Sequence, residues 1–109
     1  MLNNIFAQLP ADLSKEVFET LLQQPLLRVE RIISKGHVSP TDEWYDQAWD
    51  EWVILLQGQA SLRFMQAEDQ HLSAGDFIYL PAHTLHQVTY TSSEQECIWL
   101  AIHFSPISN

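Results

Sequence analysis

From residue 26 to residue 104 the chain is a series of short β-rich runs, and no interval between them has the apolar periodicity of a helix. The runs are LLRVERII (26–33), EWVILLQG (51–58), ASLRFM (60–65), DFIYLP (76–81), HQVTYT (86–91) and CIWLAIHF (97–104). Gly58, Gly75, Pro81 and the cluster Thr91-Ser92-Ser93-Glu94 supply turn signals between them. Strands at this spacing, with no crossover helices, predict an antiparallel barrel or sandwich. EWVILL is apolar at consecutive positions, so both of its faces are expected to be covered.

Ahead of these runs, LSKEVFETLLQQ (13–24) follows another period. Leu13, Val17, Phe18, Leu21 and Leu22 share one side of a 3.6-residue repeat. Ser14 is placed to act as N-cap, Leu13 and Phe18 as a hydrophobic staple, Glu16 suits the helix dipole, and Pro25 ends the segment. The expected organisation is one domain, with an amphipathic helix in 1–25 packed on a β-barrel formed by 26–109.

Charge narrows the partners. With 14 acidic against 5 basic residues, the net charge is −9. Such a surface repels phosphate backbones and anionic membranes, which excludes nucleic-acid binding and membrane association as expected functions. No apolar run has the length of a membrane span, and no leader pattern is seen. Cys97 is the only cysteine. It rules out an internal disulfide framework, fits a reducing cytoplasm, and reads as a small strand residue.

The segment Gly75–His86 carries the chemistry. A Gly-Asp turn enters a strand, Pro81 ends it, and His86 begins the return strand. Period-2 alternation puts His86, Val88 and Tyr90 on one face, and Glu51, Val53 and Leu55 on one face of the earlier strand. With both faces turned inward, a carboxylate and an imidazole converge in an apolar cavity, as a metal site or an acid–base pair. Asp50 is expected to face solvent. There is no Gly-rich phosphate loop, no Gly-x-Ser-x-Gly elbow and no cysteine pair with zinc spacing.

On these residues the sequence resembles the cupins. Glu51, six residues and Gly58 match the end of the first cupin motif, G-x5-H-x-H-x3-4-E-x6-G. Gly75, five residues, Pro81 and then His86 match the second, G-x5-P-x-G-x2-H-x3-N. The resemblance covers about residues 26 to 105 and is to the small single-domain cupins of the cupin-2 type. It implies an all-β jelly-roll barrel (a double-stranded β-helix) and a homodimer. It also implies a divalent metal, Fe, Mn, Ni or Zn, held by the H-x-H histidines, the glutamate and the second-motif histidine.

The first motif departs from that pattern. A three-residue spacer before Glu51 puts Tyr45 and Gln47 at the H-x-H positions, and a four-residue spacer puts Trp44 and Asp46 there. Neither register holds a histidine, so such a site is harder and weaker toward transition metals. His83 replaces the second motif's glycine and Tyr90 its asparagine. The expected ligand set is Glu51, His86, Gln47 and Tyr45, with Asp46 and His83 behind them. His83, Tyr45 and Tyr90 are the candidates for moving a proton, and His37 and His103 for lining the cavity. His71 reads as an exposed loop residue; Trp44, Trp49, Trp52 and Trp99 read as packing or interface residues. Two functions are compatible with these residues: a barrel acting on a small molecule through a metal, and a metal-free binding or structural dimer.

Overall fold

The computed structural model describes residues 2–106, all β apart from turns and loops. Its strands are β1 Val17–Gln24, β2 Leu27–Ser34, β3 Asp50–Gln57, β4 Gln59–Phe64, β5 Ala67–Ser73, β6 Phe77–Leu80, β7 His86–Thr91 and β8 Cys97–Phe104. They form a five-stranded sheet, β1-β2-β8-β3-β6, and a three-stranded sheet, β5-β4-β7. Every pairing is antiparallel. The two sheets enclose a core of Val53, Leu55, Ala60, Leu62, Leu72, Leu80, Cys97, Trp99 and Ala101. Burying each large side chain here contributes roughly 1.5–3 kcal/mol. No helix among the described residues is long and apolar enough to cross a membrane.

The expected N-terminal helix is absent. Residues 17–24 are instead β1, paired with β2 from Val17↔Ile33 to Gln24↔Leu27. Pro25 and Leu26 make a two-residue hairpin connection, so the proline turns the chain and does not terminate a helix. A bulge between Thr20 and Leu22 inserts an extra residue and breaks the period-2 pattern. That insertion is why the apolar spacing imitates a helix. Ser14 is no N-cap: its backbone N–H donates to Asp12 Oδ1 at 3.0 Å. Residues 67–73, expected to be loop, form β5; its His71 is exposed and bonded to Ser61 and Gln59 on β4.

The segment before β1 is tied to the outer face of the large sheet by Arg31. This guanidinium, 6% exposed, donates to the carbonyls of Ile5, Ala7 and Gln8 and to Glu19 Oε1 at 2.7 Å. A buried cation is tolerable only with this degree of satisfaction. Asp50 also departs from expectation. It is 9% exposed, and its carboxylate accepts from the backbone N–H of Ala82 at 2.7 Å, joining the start of β3 to the turn after β6.

Candidate functional site: the barrel cavity

Antiparallel register aligns the polar residues of the large sheet. Gln23, Arg28, His103, Glu51 and Leu80 are successive partners across β1, β2, β8, β3 and β6. Two residues along, the row is Thr20, Glu30, Ala101, Val53 and Ile78; beyond it lie Phe18, Ile32, Trp99 and Leu55. Polar character therefore falls away along the sheet. The facing sheet contributes Leu62, His86 and Val88, and the loop before β3 adds Tyr45 and Gln47. Together they bound a cavity of about 200 Å³.

Glu51 is 7% exposed. Burial, then the nearby charge of Glu30, pushes its carboxyl up to about 7, with Arg28 acting against them. His86 is equally buried, and Nδ1–H donates to the Thr84 carbonyl at 2.8 Å. Because a carbonyl only accepts, this bond assigns the proton to Nδ1 and leaves the lone pair on Nε2. Burial pushes the imidazole below its usual range, while the Thr84 bond opposes that shift. The ring stacks on Tyr45, centroids 5.2 Å apart, and the two backbones exchange hydrogen bonds of 2.8 and 3.3 Å. Burial, followed by Glu16, raises the Tyr45 phenol.

His103 and Glu30 form an inner pair, Nε2 to Oε1 at 2.9 Å. Burial lowers His103, with the Glu30 carboxylate beside it acting against that shift. Two buried donors on cavity-lining residues, Arg28 Nε and Trp99 Nε1, have no hydrogen-bond partner among the described residues. Arg28 Nε lies 3.6 Å from Glu30 Oε2, beyond hydrogen-bond reach.

The geometry sorts the sequence candidates. Tyr45, Gln47, Glu51, His86 and His103 line the cavity, so the three-residue spacer is the register in use. Asp46 and His83 lie outside the lining and pair with each other in solvent at 2.7 Å. His83 sits at φ 63°, the left-handed conformation that the motif's glycine provides, and its N–H donates to the Gln47 carbonyl at 2.7 Å. Tyr90 points outward, 47% exposed, because an irregularity between Ser61 and Leu62 in the β4–β7 pairing shifts the face it shares with His86. His37 is spent locally, accepting from the Lys35 N–H at 2.9 Å. Trp99 is cavity wall; Trp52 lies at 5.3 Å from Phe77 on the outer face. Glu16, Arg28 and Glu30 were not among the candidates. The signal for Arg28 and Glu30 is the alternation Arg28-x-Glu30-x-Ile32, two charges on one face of an otherwise apolar strand.

The resemblance implies a divalent metal, for which the cavity offers Glu51 and His86 as its carboxylate and imidazole, with Gln47 and Tyr45 beside them. Among the described residues no three His, Cys, Asp or Glu side chains converge as a ligating group. Glu30 and His103 are already engaged with each other.

Two antiparallel sheets closed around a polar-rimmed cavity define a small β-barrel of the double-stranded β-helix class. The chain belongs to the cupin family, whose cupin domain matches residues 30–103. A candidate mannose-6-phosphate isomerase from Ralstonia eutropha JMP134 is similar at 36% identity and TM-score 0.93, over 97% of this chain and 99% of that one. A cupin superfamily protein from Desulfitobacterium hafniense DCB-2 shares the fold at TM-score 0.73 and 18% identity, covering 90% and 84%. A polyketide cyclase from Streptomyces resistomycificus does so at 0.69 and 16%, covering 85% and 67%. No curated protein matches the chain.

Proposed function

We propose that the barrel cavity binds a small hydroxy-carbonyl compound and that Glu51 transfers a proton on it. The observation that carries this reading is Glu51 itself, a carboxylate 7% exposed in the cavity, opposite a His86 whose Nε2 lone pair is free. A carboxyl held near 7 is matched to proton transfer at neutral pH. In the reaction Glu51 takes a proton from the carbon next to the carbonyl, and the C–H electrons become a C=C bond. The carbonyl oxygen gathers the negative charge, and the unspent indole N–H of Trp99 donates to it. Nε2 of His86 carries the hydroxyl proton between the two oxygens, and Glu51 returns its own proton to the neighbouring carbon. The result is redox-neutral isomerisation. The similar Ralstonia protein is a candidate isomerase.

Incubation with glyceraldehyde, mannose and mannose 6-phosphate in D2O, followed by proton NMR, tests the reading. Wild-type protein is expected to wash deuterium into a carbon-bound position, with a rate rising through pH 7 as Glu51 ionises. Glu51→Gln is expected to lose about 100-fold of that rate. Binding of these compounds without exchange would turn the assignment to the non-catalytic alternative. Stoichiometric Fe, Mn, Ni or Zn bound in wild-type protein and lost in Glu51→Ala would overturn it in favour of a metal centre.

The same reading takes the protein as a homodimer. Its support is the outer face of the large sheet, where Leu22, Phe77 and Tyr79 are exposed beside Trp52 and Phe104. Exposed apolar surface of this kind marks an interaction face. Light scattering is expected to read about twice the chain mass of 12.6 kDa; a mass of one chain at micromolar concentration would refute the dimer.

A further inference from the structure

A second hollow, of about 360 Å³, adjoins the cavity and is lined by Gln23, Arg28, Gln47, Ala48, Trp49 and His103. Arg28, Gln47 and His103 line both spaces, so the hollow is a vestibule of the same site. Its composition is unlike the rest of this acidic protein. No Asp or Glu side chain lines it, and Arg28 is the one Arg or Lys lining either space among the described residues. Arg28 is ion-paired with Glu30 across 3.6 Å without a hydrogen bond from Nε, and its side chain is otherwise 43% exposed, so the guanidinium retains donors for a ligand.

We infer that the molecule handled in the cavity carries a carboxylate and that Arg28 holds it in the vestibule, flanked by the amides of Gln23 and Gln47. This inference rests on the acid–base reading of Glu51. Three observations favour a carboxylate over a phosphate. Arg28 already shares its charge with Glu30, and its remaining guanidinium donors suit the two oxygens of one carboxylate better than the several anionic oxygens of a phosphate. Glu30 Oε2 lies 3.6 Å from Arg28 Nε, so a dianion would meet repulsion with no second cation to offset it. The chain also offers no glycine-rich loop or helix N-terminus there to supply further anion-binding N–H groups.

Register sets the length of the ligand. Arg28 and Glu51 are both partners of His103, so their backbones lie two strand spacings apart, about 10 Å. Side chains reaching inward from both ends leave room for a short chain of carbons between the carboxylate and the reacting centre. The ligand class is therefore a small hydroxy or oxo acid.

Matched acid and amide pairs test this. Glycerate with glyceramide, and gluconate with gluconamide, are titrated against wild-type, Arg28→Gln, Arg28→Lys and Glu51→Gln protein, following the Trp99 indole proton by NMR. Wild type is expected to bind each acid at least 10-fold more tightly than its amide. Arg28→Gln is expected to remove that preference, and Arg28→Lys and Glu51→Gln to keep it. Acids and amides bound equally, or a preference that survives Arg28→Gln, would overturn the carboxylate subsite while leaving the cavity reading in place. Mannose 6-phosphate bound more tightly than every acid would replace it with a phosphate subsite. No shift of the indole proton with any probe would overturn the cavity reading itself.

Discussion

Glu51→Gln is expected to make the protein more stable at pH 8.5, by about 3 kcal/mol, and to leave stability almost unchanged at pH 4.5. The magnitude follows from the shift of the carboxyl from 4.5 to about 7. Folded Glu51 keeps its proton up to about pH 7, whereas in the unfolded chain it is lost near 4.5. Between those values the folded state binds more protons, so stability falls as pH rises through the window. Above it the whole cost of a buried, unpaired carboxylate is present; below it there is none. Glutamine has the shape of the protonated acid and never ionises, so it removes the cost. Urea denaturation of both proteins at pH 4.5 and 8.5 measures the effect. An equal difference at the two pH values, or a less stable variant at pH 8.5, would contradict the assignment of strain to the ionised side chain. Together with the expected loss of proton exchange, this makes Glu51 a residue that weakens the fold it serves, as functional groups often do.

Gly58→Ala is expected to destabilise the protein by about 3 kcal/mol, which lowers the melting temperature by roughly 12–20 °C in a domain of this size. Gly58 turns β3 into β4 at φ +95°, where a side chain adds about 1–2 kcal/mol of strain. An added Cβ would also meet Cys97 Sγ at 2.7 Å and the Cys97 Cα at 3.1 Å. Cys97 is fully buried, so neither it nor its strand has space to withdraw, and overpacking adds about 1–3 kcal/mol. Gly75 is the internal control. Its φ is +96°, nearly the same, but nothing lies within 4 Å of an added Cβ. Gly75→Ala should therefore cost only the conformational part. Thermal melts in which the two variants lose stability equally would refute the steric account.

The barrel was legible where one strand face is apolar and one residue type ends the run. β7 and β8 match their predicted bounds, and β2, β3, β4 and β6 differ only at their ends. β5 was missed because Leu72 is its one buried residue, so its strand character comes from pairing with β4. β1 was misread because of the bulge at Leu21, a tertiary feature that no local period reveals. In the site, motif spacing brought Glu51, His86, Tyr45 and Gln47 to one cavity, because a barrel fixes which strand ends meet. Spacing could not separate Tyr90 from His86, since an unpaired residue lies between them. Nor could it supply Arg28 and Glu30, whose position depends on β2 lying beside β8, a long-range pairing.

The bulge in β1 has a consequence for assembly. β1 and β6 are the two free margins of the large sheet. A kinked margin offers no continuous ladder to an incoming strand, and β6, with four residues, offers too short a one. Growth of the large sheet by adding strands sideways is therefore disfavoured at both of its margins. The defect that hid the strand from its sequence thus also guards this margin of the large sheet.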